Sequence, residues 1–167
     1  MKAQDVLTLL DYNRWANRRL LEVAAALPAE QHRAPAEVPH GSLLGTFVHI
    51  FAAEQVWRVR CQEGRSPTSL ASPERYPTLD ALARAWEEEE GAMRAYLSSL
   101  TDADLEGTVH YHRTDGRPQS SVLWQVLAHL VNHGTQHRAE AALLLTRYGR
   151  SPGDLDLMVY LRQREQR

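Results

Sequence analysis

Cysteine is nearly absent from this chain: Cys61 stands alone among 167 residues. One cysteine excludes an internal disulfide and any zinc cluster built on thiolates. A basic surplus is also missing. The formal net charge is -2 and the pI is near 6.4, which argues against nucleic acid as a partner. No apolar run reaches the length of a membrane span. The segment from Met1 to Arg19 resembles no secretory signal, because Asp5, Asp11 and Arg14 interrupt its apolar pattern. A cytoplasmic protein is the expectation. There is no internal repeat and no low-complexity linker, so residues 1–167 read as one domain.

Apolar periodicity predicts four long helices. The first runs from about Ala3 to Leu27 and stops at Pro28, with Val6, Leu9, Leu10, Ala16, Leu20, Leu21 and Ala24 on its stripe. The second is capped by Ser42 and runs to about Cys61, apolar on nearly every side until Trp57. The third opens at Pro77-Thr78 and ends near Leu100. The fourth opens near Ser120-Ser121 and ends at Tyr148-Gly149, where glycine supplies the stop. Between the third and fourth, Val109 to Gly116 alternates and closes on Asp-Gly, the pattern of a small β-hairpin. Asp154 is a candidate cap for a short last helix to about Arg164. These elements predict an all-α four-helix bundle with a small β-hairpin between helices 3 and 4 and a short C-terminal helix.

Against scarce cysteine, histidine is plentiful, with eight residues. His129, His133 and His137 fall at four-residue steps on the fourth helix. On a helical projection His133 and His137 lie inside the apolar arc of Val122, Val126, Leu130, Ala141 and Leu144, while His129 lies at its edge beside Gln125 and Gln136. Two inward imidazoles one turn apart can converge on one metal ion. The competing reading is a pair of hydrogen-bonded core histidines. A third ligand must come from another helix. His49 is the best candidate, with Gly45, Ala52, Ala53 and Val56 around it leaving room. His110 and His112 share a strand face but belong to an exposed hairpin, and His32 and His40 sit in a Pro-rich loop with no convergent partner in view.

Two absences narrow the chemistry. His133-Gly-Thr-Gln-His137 has zinc-peptidase spacing but carries Gly134 where the general base belongs. The paired Glu-x-x-His motifs of di-iron bundles are also missing. A mononuclear ion on three histidines keeps open positions for water, a thiol or a substrate oxygen. Asn13 and Asn17 fall within the apolar stripe of the first helix, where buried amides need partners, either across the bundle or in a polar pocket. Trp15 points the other way, toward another element or a partner subunit. Glu87 to Glu90 reads as a solvated run, with Glu89 nearest the stripe. Glu54 is five residues from His49 and points elsewhere, and Cys61 reads as a packed thiol.

Leu127-Ala-His129-Leu-Val-Asn-His133-Gly-Thr-Gln-His137-Arg138-Ala-Glu resembles the fourth-helix motif of the DinB/YfiT-like superfamily. Tyr12-Asn13-Arg14-Trp15-Ala16-Asn17 is similar to its first helix, and His49-Ile50 with Glu54 and Trp57 to its second. Ala139 and Glu140 replace the last two residues of the family's usual His-Arg-Gly-Gln. The resemblance covers nearly the whole chain. It implies a bundle, usually a homodimer, that holds a divalent metal through His49, His133 and His137. It also implies kinship with transferases and isomerases that use bacillithiol, mycothiol or glutathione. The expected function is therefore a metal-dependent transferase that joins a low-molecular-weight thiol to a small electrophile, with His129 as an outer base or orienting group. Zinc or nickel suits imidazole donors best. A metal-dependent hydrolase and a non-catalytic metal-binding stress-response bundle are the alternatives.

Overall fold

The computed structural model describes residues 1–166. Four long helices form the frame: α1 (Ala3–Ala25), α3 (Leu43–Glu63), α4 (Leu79–Ser98) and α6 (Leu123–Arg147). Short α2 (Ala29–Arg33) lies between α1 and α3, and α5 (Asp102–Leu105) follows α4. A two-stranded antiparallel hairpin, β1 (Thr108–His112) and β2 (Pro118–Val122), leads into α6, and α7 (Leu157–Glu165) closes the chain. Helices α1 and α3 each pack on both α4 and α6, which makes a square bundle. The hairpin rests on α3 and on the start of α6, and α7 rests on α1. No helix among the described residues is long and apolar enough to cross a membrane.

Local chemistry explains several of the helix ends. The Ser42 hydroxyl accepts from Gly45 N at 2.9 Å, and Thr78 accepts from Ala81 N at 3.2 Å, as side-chain caps do. At the end of α6, Gly149 takes φ 75° while Arg150 N donates back to Leu145 O. That conformation suits glycine and stops the helix. Helix α1 ends at Ala25, short of Leu27, because the residue before Pro28 is driven out of the helical region.

Two boundaries differ from the sequence expectation. Ser120 and Ser121 do not open α6; they pair with His110 and Val109 across the hairpin. The helix starts directly from the strand, and Leu123 N finds Gly107 O at 2.9 Å in place of a side-chain cap. Likewise Asp154 does not cap α7, which begins after Asp156 with no side-chain cap. Trp15 is covered by an element of the same chain: its ring lies 5.6 Å from that of Tyr160 on α7. Tyr12 anchors the preceding segment by donating its hydroxyl to Leu155 O at 3.0 Å.

The core is divided. One apolar cluster gathers Leu20, Leu44, Phe47, Phe51, Leu82, Trp86 and Leu145. A second gathers Val6, Met93, Leu97, Leu123, Leu127 and Leu130. A belt of buried polar side chains crosses between them. Glu54 accepts from Asn13 Nδ2 at 2.6 Å, Asn17 Nδ2 at 2.9 Å and Trp86 Nε1 at 2.7 Å. Arg138 donates to the Oδ1 atoms of both asparagines and to Thr135 Oγ1. Asn13 and Asn17 thus bond across the bundle, from α1 to α3 and α6. Nearby, Glu89 and Glu90 leave the expected solvated run: Glu89 is buried against Arg58, and Glu90 accepts from Arg14 Nε at 2.8 Å. The third helix of the frame supplies these acids because α4 turns that side toward α1 and α3.

Burial raises the Glu54 pKa against the opposing pull of its three N–H donors, and burial lowers that of Arg138. Removing one member leaves the others desolvated and unpaired, which is the expensive way to change such a cluster. Arg138→Met should therefore lower folding stability by about 3–5 kcal/mol in urea unfolding. A loss below about 1 kcal/mol would mean that the belt contributes little beyond ordinary hydrogen bonds.

Candidate metal centre

Helix α6 carries His133 and His137 one turn apart, and α3 faces them with His49. The ring centroids of His49 and His133 are 5.0 Å apart, those of His49 and His137 4.5 Å, and those of His133 and His137 4.5 Å. The Nε2 atoms of His49 and His133 approach to 3.1 Å. His129 is exposed at the edge, with its ring 5.8 Å from His133 and 5.7 Å from Trp57.

His40 joins this group, contrary to the expectation that its loop offered no partner. Its ring stacks on His49 at 3.7 Å and meets His137 edge-on at 5.0 Å. The loop is held in place by Ala36 N to Gly41 O and Gly41 N to Val38 O, each at 2.9 Å. Gly45 makes the approach possible, since a Cβ there would lie 2.1 Å from His40 O. The small residue at position 45 therefore leaves room for a backbone carbonyl. Ala53 and Val56 do border open space, in a cleft shared with His49, His129 and His133. No helical period can announce a loop residue, so His40 was not legible in the sequence.

His137 Nδ1 pairs with Glu140 Oε2 at 2.9 Å. A carboxylate can only accept, so Nδ1 carries a proton, and Nε2 is the ring nitrogen left to a metal. Such carboxylate–histidine pairs orient rings that bind metals. The spacing of three residues on one helix was the available signal. The remaining histidines lie apart: His110 and His112 are exposed, and His32 Nε2 meets Ala24 O at 2.9 Å.

The electrostatics suit a cation. Burial, then the neighbouring rings, pushes the His49 pKa down to about 3 and that of His133 to about 4. Burial also lowers His40. These imidazoles are neutral at physiological pH and present lone pairs. Ring nitrogens of His40, His49 and His137 lie within 4.8 Å of one another, a grouping that can hold a metal ion. His40 Nε2 is buried without a hydrogen-bond partner, and in the tautomer with its proton on Nδ1 that nitrogen has a lone pair that a cation would satisfy. The donor set is nitrogen-rich and matches a transition metal or zinc better than calcium or magnesium.

Position 134 explains itself in three dimensions. A Cβ on Gly134 would lie 2.6 Å from Arg138 Nη1 and 2.8 Å from Asn13 Oδ1. The polar belt occupies the volume where the peptidase glutamate would begin. Cys61 offers no nucleophile, because burial pushes its thiol up to about 12.

A sequence model of the DinB family matches residues 1–167. The chain is also similar to Protein DinB of Bacillus subtilis (strain 168), with 23% identity over 158 residues, covering 92% of this chain and 91% of that protein.

The neutral imidazoles have a consequence for folding. Below their ordinary value of 6.5 the unfolded chain takes up protons that the folded rings of His49 and His133 refuse. Stability therefore falls as pH falls from 6.5 toward about 4. Protein stripped of metal by a chelator should lose melting temperature across that window. His133→Gln should flatten part of the decline. A profile identical in the two proteins would show that the His133 ring is not held neutral.

Proposed function

Since the chain belongs to the DinB family, we propose that it binds one divalent metal ion and uses it to transfer a low-molecular-weight thiol onto a small electrophile. The observation that carries this reading is the convergence of imidazoles beside an open cleft, with the rings of His49 and His133 held neutral. His49, His133 and His137 are the proposed ligands. Two of them stand on one rigid helix, and sites built on helices are held more closely than sites on loops. His49 and His133 also border the cleft, which a reacting molecule must enter. His40, on its loop, stacks on His49 and supports that ring.

The bound ion would supply Lewis acidity that favours the thiolate of an incoming thiol. The protein's own groups do the rest. Glu140 holds the His137 ring with its Nε2 free. His129, exposed in the cleft, takes up the thiol proton or orients the thiol. Leu70, Val56 and Trp57 give the cleft apolar wall against which a small electrophile can rest. The ion is proposed to be zinc or nickel.

Elemental analysis tests the ligand set. His49→Ala, His133→Ala and His137→Ala should each cut metal affinity at least tenfold, while His40→Ala retains the metal. The reverse pattern for His40 and His133 would transfer the third ligand position to His40. Cobalt-substituted protein tests the chemistry. Thiols should change its visible spectrum. An unchanged spectrum, with thiol-free ester or amide hydrolysis that His133→Ala abolishes, would replace the transferase by a hydrolase acting through bound water. Tight metal binding with neither response would leave a binding protein.

A further inference from the structure

Arg60 is a buried cation without a counterion. It stands in the last turn of α3 and is 7% exposed. Its guanidinium lies over the rings of Trp57 at 4.8 Å and Tyr111 at 5.1 Å. Nη2 donates to His112 O at 3.0 Å. Nε is buried and has no hydrogen-bond partner. Among the described residues no carboxylate lies within 4 Å of this guanidinium. The contrast with its neighbours is plain. Arg58, two residues earlier, makes paired contacts with Glu89, and Arg138 donates to four acceptors in the polar belt.

An arginine stays charged at any pH a cell reaches. A desolvated guanidinium with an idle N–H is costly for the folded state, and an unsatisfied buried polar group calls for a structural or functional reason. Arg60 borders the same cleft as His49, His129 and His133, a space of about 470 Å³. No aspartate or glutamate lines that cleft, and its other arginine, Arg113, is paired with Asp115 at 3.7 Å, which leaves Arg60 as the cleft's acid-free cation among the described residues. The Trp57 and Tyr111 rings flank the guanidinium and stand nearly perpendicular to each other, at 77°. The fork of an arginine takes a carboxylate in two parallel N–H bonds, and a phosphate likewise, so the probes named below separate the two.

We propose that Arg60 anchors a carboxylate of the small molecule that occupies this cleft, with the histidine cluster acting on another part of the same molecule or on its reaction partner. This specificity rests on the cleft being the reaction site proposed above. Arg60 is a binding residue. The substrate class is narrowed to carboxylate-bearing thiols or carboxylate-bearing electrophiles, and neutral molecules of the same size are excluded.

Zinc-loaded protein, followed by nitrogen–proton NMR, tests the idea. Arg60→Lys keeps the charge and removes the Nε–H, which identifies the Arg60 Nε–H signal in the wild type. The probes are 3-mercaptopropionate, 3-mercaptopropionamide, propionate and inorganic phosphate. Both carboxylates should move the Arg60 signal, and the amide and phosphate should not. 3-Mercaptopropionate should bind at least tenfold more tightly than 3-mercaptopropionamide, and Arg60→Met should erase that preference. If 3-mercaptopropionate also exceeds propionate, the carboxylate belongs to the thiol; if the two acids bind alike, it belongs to the electrophile. An Arg60 signal unmoved by either acid overturns the proposal, even where both thiols perturb the histidine rings and the metal–thiol reading stands. Propionate lacks a thiol, so its effect on Arg60 supports the anchor even if no thiol reaches the metal. A response to phosphate alone overturns the carboxylate assignment. Arg60→Met also loosens the hairpin contact at His112, and the comparison of probes on wild-type protein does not depend on that variant.

Discussion

The Glu54 carboxylate, buried among Asn13, Asn17 and Trp86, is the contact on which the rest of the bundle turns. It ties α3 to α1 and α4 in one stroke, and Arg138 ties both asparagines to α6. Apolar helix faces can slide past each other by small steps at modest cost. A carboxylate with three specific donors cannot, because every displacement leaves a buried polar group unpaired. Glu54 is on the same helix as His49, and Arg138 follows His137 directly in the chain. The register that satisfies the belt therefore also sets the register of the histidine helices.

This coupling accounts for residues that would otherwise look arbitrary. Gly134 has no side chain because Arg138 and Asn13 already fill that volume. The absence of a peptidase glutamate and the presence of a polar belt are two views of one packing solution. Gly45 has no side chain because the His40 carbonyl comes close to α3. Both glycines are helical, where glycine costs roughly 1 kcal/mol against alanine, so close approach is the physical reason to keep them.

Charge follows a gradient along the bundle. The belt and the acids of α4 neutralise their arginines internally, as in the Arg58–Glu89 and Arg14–Glu90 pairs. Glu90, desolvated and near Glu54, is raised to about 7 even with two arginines beside it. Across the bundle the cleft side has the neutral imidazoles of His49 and His133 and the acid-free guanidinium of Arg60, with no carboxylate lining it. A cation can enter only through the lone pairs of the histidines, and an anion is drawn to Arg60. The two kinds of ligand are thereby kept to different parts of one cleft.

Much of this was legible in the chain of letters. Apolar periodicity is a local property, and it marked all four long helices, the hairpin and the inward direction of His133 and His137. Ser42, Thr78 and Gly149 announced helix ends because capping is decided within a few residues. The buried asparagines were recognisable as polar residues on an apolar stripe, without their partners being identifiable. What tertiary structure alone decided is everything that depends on which strangers meet. His40 reached the cluster through a loop that has no period. Glu54 met two asparagines and a tryptophan far away in sequence. Trp15 was covered by α7, and Arg60 was buried without an acid. Local spacing sets where a side chain points from its own helix. Only the packing of one helix on another decides what it finds there.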